Sequence, residues 1–97
     1  MYEVRFTTAA KKYFKKLVDK KLKKNFLNAV EKISQDPFIG EQKTGDLKGV
    51  YGYNVFYSGG NYELAYLIYE TPEQKVLIIL AGTRENFYEQ LKRYMKH

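Results

Sequence analysis

The chain contains no cysteine, and its single histidine, His97, is the last of its 97 residues. Without cysteine there is no disulfide framework and no thiolate metal site. With one terminal histidine, a zinc or copper centre built on imidazoles is excluded, as is a histidine-dependent Ser or Cys triad inside the fold. No apolar run reaches the roughly 18 residues of a membrane span. The opening Met1-Tyr2-Glu3-Val4-Arg5 lacks the apolar stretch of a secretion leader. No glycine loop sits between a strand and a helix to cradle a nucleotide phosphate, since Gly59-Gly60 reads as a hairpin tip. These absences predict a reduced, cytoplasmic chain with no metal, no small-molecule cofactor and no membrane partner. What is present is one small domain, residues 1–97, with 44% hydrophobic and 29% charged residues, the composition of a folded soluble protein.

Charge is unevenly placed. Lysine and arginine number 17 against 11 acids, a net +6, and the whole excess lies in residues 1–48, where 12 basic side chains meet 6 acidic ones. Lys11, Lys12, Lys15, Lys16, Lys20, Lys21, Lys23 and Lys24 surround one acid, Asp19. So basic a segment favours a polyanionic partner. A solvated helix surface that keeps the chain soluble has the same composition. Charge alone leaves both readings open.

Periodicity supplies the architecture. Tyr2, Val4 and Phe6 alternate with Glu3 and Arg5 as in a half-buried strand. Thr7 or Thr8 can cap a helix with Ala10, Tyr13, Phe14, Leu17 and Val18 inward, and Asp19 a second helix carrying Leu22, Phe26, Ala29, Val30 and Ile33 until Asp36-Pro37. Pro37 to Gly49 reads as a surface loop. From Tyr51 the period becomes 2, giving a hairpin turned at Gly59-Gly60-Asn61, a turn at Thr71–Gln74, and the doubly apolar central strand Val76–Ala81. Glu85 to Lys96 predicts a last helix with Phe87, Leu91 and Tyr94 or Met95 inward. The order βααβββα is an α+β fold: an N-terminal strand and helical hairpin packed on a mostly antiparallel four-stranded sheet, with a C-terminal helix.

Eight of the ten tyrosines follow residue 50, and most suit sheet packing with the hydroxyl at the rim. They do not fall into the paired aromatic strand motifs of an RNA-recognition domain. Tyr88 stands four residues after Arg84 at the expected start of the last helix, which predicts both on one helix face.

The element order, Pro37-Phe38-Ile39-Gly40, Leu47-Lys48-Gly49 leading into a strand, and Gly60-Asn61-Tyr62-Glu63-Leu64-Ala65-Tyr66 together resemble the RelE/ParE toxin superfamily of bacterial type II toxin–antitoxin systems. The ending Ala81-Gly82-Thr83-Arg84-Glu85-Asn86-Phe87-Tyr88, then Leu91-Lys92-Arg93-Tyr94, is similar to its RelE-like branch. That resemblance spans essentially the whole chain. It implies a toxin that cuts messenger RNA on the ribosome without metal: an endoribonuclease, or mRNA interferase, acting by 2′-OH attack on phosphorus. Arg84 matches the family's C-terminal catalytic arginine or histidine, Tyr88 its catalytic tyrosine, and Lys48 a recurrent basic residue before the second strand. The implied partners are a cognate acidic antitoxin, the ribosome and mRNA, with the eight lysines of Lys11–Lys24 gripping RNA.

The sequence also departs from that pattern. The family's usual strand arginine is Glu63 here, and its strand lysines are replaced by Asn54 and Phe56. Glu63 becomes a candidate general base, with Asp46 a second carboxylate and a solvated polar role the plain alternative for each. Two other functions fit the same resemblance: a ParE-like inhibitor of DNA gyrase that cleaves nothing, and a non-catalytic nucleic-acid-binding homologue.

Overall fold

Thr7 sets the first turn of the chain. After strand β1 (Glu3–Phe6), its Oγ1 accepts from the Ala10 N–H at 3.1 Å, capping helix α1 (Thr8–Lys16), and donates to the Ile79 carbonyl at 2.5 Å. Such a cap satisfies a donor that the first helical turn leaves over. Asp19 caps α2 (Lys20–Gln35) in the same way, accepting from the Lys21 and Leu22 N–H groups at 3.0 and 3.1 Å. Pro37 then stops the helix, and Asp36 turns to cap a 3-10 turn at Pro37–Ile39. Val18, expected on the inner face of a helix, lies in the linker between α1 and α2 and is 89% exposed. The structure, a computed structural model, describes residues 1–96; His97 lies outside them.

The remaining strands are β2 (Glu41–Gln42), β3 (Tyr51–Tyr57), β4 (Gly60–Tyr69) and β5 (Lys75–Thr83). The sheet has five strands in the order β1-β5-β4-β3-β2, with β1 parallel to β5 and every other pair antiparallel. Four strands were expected. The fifth, β2, falls inside the expected loop because two polar residues carry no periodicity, and it exists only through pairing Glu41 with Gly52 and Gln42 with Tyr51. In the β3–β4 hairpin, Tyr57 faces Gly60, so the turn is Ser58-Gly59, and both of these take positive φ (50° and 79°). Two left-handed residues match the right-handed twist of the flanking strands. The turn therefore closes one residue earlier than the Gly-Gly-Asn run suggests.

One irregularity sets which way β5 faces. Ala65 opposes Leu80 while Tyr66 opposes Ile78, leaving Ile79 as an extra residue. Such a bulge shifts the two-residue alternation by one. Val76 and Ile78 face α1 and α2, and beyond the bulge it is Ala81 that does so. Ile79 turns to the opposite face, and its carbonyl is the one Thr7 satisfies. The main core joins Phe14, Leu22, Phe26 and Ile33 of the helices to Val55, Leu64, Tyr66 and Ile78 of the sheet, with Phe26 edge-on to Phe14 at 5.4 Å and Tyr62 at 5.8 Å. Full burial of one such side chain contributes about 1.5–3 kcal/mol.

Helix α3 (Phe87–Met95) covers part of the second face, burying Phe87 and Leu91 against Leu47, Val50, Ala65 and Ile79. It begins two residues later than the periodicity predicts, because Asn86 takes the left-handed conformation (φ 59°) and breaks the run. Neither Tyr94 nor Met95 turns inward; each is 40% exposed.

Tyr66 ties the core to the loop outside it. Fully buried and stacked on Tyr51, it donates to the Pro37 carbonyl at 2.7 Å and accepts from the Gly40 N–H at 3.1 Å. Gly40 has no room for a side chain, since a Cβ there would lie 2.9 Å from the Gly52 carbonyl oxygen and closer still to the Tyr66 hydroxyl. Tyr66→Phe strands both backbone groups, and thermal denaturation should register a loss of about 1–3 kcal/mol, roughly 4–8 °C of Tm for each kcal/mol. A variant that melts with the parent protein would show that these bonds carry no net stability.

Candidate functional site on the second sheet face

Because side chains alternate along β4, Leu64 and Tyr66 face the helical hairpin while Glu63 and Ala65 face α3. Glu63 is therefore a carboxylate on a sheet surface, only 6% exposed. Buried carboxylates require partners. Tyr88, in the first turn of α3, donates its hydroxyl to Glu63 Oε1 at 2.5 Å. Asn54, directly opposite on β3, donates Nδ2 to Oε2 at 2.9 Å and to the Tyr62 carbonyl at 3.2 Å. Among the described residues no buried side-chain polar atom lacks a partner. Burial first, then the bond to Glu63, push the Tyr88 hydroxyl well above the ordinary tyrosine range.

Lys43 completes the cluster. Its ammonium sits 4.4 Å from the Tyr88 ring centroid, a cation–π distance, and pairs with Glu41 at 2.5 Å. That pair holds the Glu41 carboxyl below its usual range, with Arg84 adding a smaller pull. Gly52 makes the packing possible: a Cβ at this position would overlap the Tyr88 hydroxyl and lie 2.8 Å from Lys43 Cε. A glycine inside a strand marks such a close approach.

Arg84 is exposed in the turn between β5 and α3, its backbone held by the Asn61 carbonyl at 2.9 Å. It lines an open cleft of about 460 Å³ with Gly60, Asn61, Tyr62, Thr83 and Glu85. It does not share a helix face with Tyr88, since α3 begins at Phe87; the link between them is electrostatic, Arg84 pulling the Tyr88 pKa down against the larger upward push of burial and Glu63. Lys48, at the end of a 3-10 turn (Gly45–Leu47), is exposed and has no hydrogen bond or ion pair to the cluster, and Asp46 in that turn is exposed too. The eight lysines belong to α1 and α2 on the other side of the sheet; seven are exposed and Lys23 is half-buried. The structure thus joins Glu63 and Tyr88, sets Arg84 near them, and leaves Lys48 and the lysine face apart. Sequence reasoning missed Glu41, Lys43 and Gly52. Gly52 amid alternating tyrosines was the available signal. No group of three or more His, Cys, Asp or Glu side chains suited to a metal occurs among the described residues.

Fold and site together define a small α+β domain with a partly open sheet face that carries paired carboxylates and cations. The family model of the ParE-like toxin of type II bacterial toxin–antitoxin systems matches residues 4–92, and the chain belongs to that family. Among solved structures, the chain is similar to a chain of the intact E. coli RelBE toxin–antitoxin complex, with a TM-score of 0.71 and 22% identity over 86% of this chain and 96% of that one. It is also similar to a chain of the Mycobacterium tuberculosis RelBE2 complex (TM-score 0.68, 26% identity, 86% of this chain and 98% of that one). A third structure, an E. coli RelE mutant with a peptide of its antitoxin, gives a TM-score of 0.69 at 23% identity over 95% and 96% of the two chains. Nothing among the curated proteins matches.

The tyrosine environments set an alkaline limit. Tyr66, pushed up to about 12 mainly by burial, and Tyr88 both keep their protons in the native state above the unfolded value near 10. Above about pH 10 the unfolded chain binds fewer protons than the folded one, so stability falls as pH rises. Tyr88→Phe should flatten part of that fall in urea denaturation series at pH 9 to 11. An identical slope in the variant would mean that Tyr88 titrates as a free tyrosine.

Proposed function

We propose that this toxin is a metal-independent, ribosome-dependent endoribonuclease whose site is the Glu63–Tyr88–Arg84 face. The observation that carries the reading is the bond between a buried carboxylate and the Tyr88 hydroxyl, within electrostatic reach of an exposed arginine. RNA cleavage needs an acceptor for the 2′-hydroxyl proton and fixed positive charge on the phosphate. The 2′-oxygen passes its proton to Tyr88 Oη as Tyr88 gives its own to Glu63. That oxygen bonds phosphorus, the bond from phosphorus to the 5′-oxygen breaks, and the leaving oxygen takes a proton from water. Glu63 then returns its proton to solvent. The products are a 2′,3′-cyclic phosphate and a 5′-hydroxyl. Arg84 holds the non-bridging oxygens with its fork of donors. Lys48, outside the cluster, serves only as a further cation for the message backbone.

The lysines of α1 and α2 lie across the sheet from this site, which suits a grip on ribosomal RNA rather than on the strand being cut. The partner that silences the toxin is an acidic antitoxin, a reading supported by the similar RelE and RelBE2 chains having been solved in complex with their antitoxins. A second reading, a non-cleaving inhibitor of DNA gyrase, is favoured by the ParE-like family match and by Asn54, Phe56 and Glu63 standing where strand cations are expected.

Primer extension on RNA from cells expressing the toxin separates the two: cuts at fixed codon positions accompany the first, intact RNA with broken DNA the second. Arg84→Ala should lower cleavage about 10²-fold, the scale of one lost transition-state donor; cleavage at the parent rate by the folded variant removes the nuclease assignment. Replacing Lys11, Lys15, Lys20 and Lys24 by Gln should weaken ribosome co-sedimentation and lower its salt slope by about one unit per lost phosphate contact. Stability should move by no more than about 0.5 kcal/mol. An unchanged salt series would return these lysines to solubility alone.

A further inference from the structure

We propose that Lys43 is a catalytic residue of this site, the cation that binds the scissile phosphate in place of those absent at Asn54, Phe56 and Glu63. The inference rests on the nuclease reading above. The charge balance of the face motivates it. Glu41 and Glu63 bring two negative charges beside Tyr88, and Arg84 alone would leave the face net negative toward a phosphodiester. Lys43 restores neutrality before substrate arrives.

Its placement is built rather than incidental. The Lys43 N–H is bonded to the Val50 carbonyl at 2.9 Å, which pins its backbone just beyond β2. Its stem runs over the bare backbone of Gly52, where any side chain would strike both Lys43 and Tyr88. The ammonium rests over the Tyr88 ring at 4.4 Å, beside the hydroxyl that receives the 2′-proton. The Lys43 side chain is 21% exposed, but its Glu41 partner is 77% exposed. An ion pair with one arm in water contributes little, so a phosphate oxygen can replace the Glu41 carboxylate at modest cost while the packed lysine stem stays in place. Glu41 thus holds the ammonium ready in the free toxin and yields it to substrate.

The test is single-turnover cleavage of a reporter message on translating ribosomes, with the parent toxin, Lys43→Met and Lys43→Arg. Methionine keeps the apolar stem over Tyr88 and removes the charge; arginine keeps the charge. Lys43→Met should slow the maximal rate about 10²-fold, as for loss of one transition-state donor, with the half-saturating toxin concentration and the melting temperature little changed. Lys43→Arg should keep the rate within about tenfold of the parent. Parent-like cleavage by Lys43→Met overturns the proposal, and so do Met and Arg variants that are equally slow, since that pattern marks a packing role on Tyr88. A parent toxin that cuts no message defeats the nuclease reading itself and Lys43 with it, an outcome distinct from a cutting parent with an indifferent Lys43.

Discussion

A carboxylate in the middle of a sheet face must be hydrogen-bonded or it destabilises the fold, and Glu63 imposes that requirement on everything near it. Its two oxygens take Tyr88 from α3 and Asn54 from β3, so one side chain fixes the start of the last helix to the middle of the sheet. Tyr88 can reach it only by lying across β3, and it can lie there only because position 52 has no side chain. The ring so placed offers a π face to Lys43, and Lys43 in turn joins the two-residue strand β2 to α3. Removing the carboxylate would leave the Tyr88 hydroxyl without its partner and take from Asn54 one of its two bonds.

The bulge at Ile79 supports this arrangement from below. Without the extra residue, the alternation along β5 would carry Leu80 and Gly82 toward the helical hairpin. With it, Ala81 enters the main core while Gly82, opposite Glu63, sits under Phe87. Thr7 stabilises the irregularity through its bond to the Ile79 carbonyl while capping α1. The same hydroxyl therefore links the N-terminal helix to the phase of the strand that leads into the site.

The lysine-rich helices and the Glu63 cluster occupy opposite faces of one sheet. Under the nuclease reading proposed above, broad and salt-sensitive attachment would fall to the lysine face, and the other, with few charges held at set distances, would position the phosphate.

The sequence by itself determined the α+β class, a helix cap at Thr7 or Thr8 and another at Asp19, the central strand and the identity of Arg84, Tyr88 and Glu63 as residues to watch. These signals are local: a cap needs only its neighbours within three residues, and periodicity reads out over one element. The tertiary structure alone decided that Glu63 is buried, that Tyr88 bonds to it while Arg84 stays outside the helix, and that Glu41 and Lys43 belong to the site. Strand β2 has no pattern of its own and forms only against β3; the left-handed Asn86 cuts the last helix short; the bulge appears only when β4 and β5 are set side by side. Each of these depends on groups brought together from distant parts of the chain, and no spacing within a single segment encodes them.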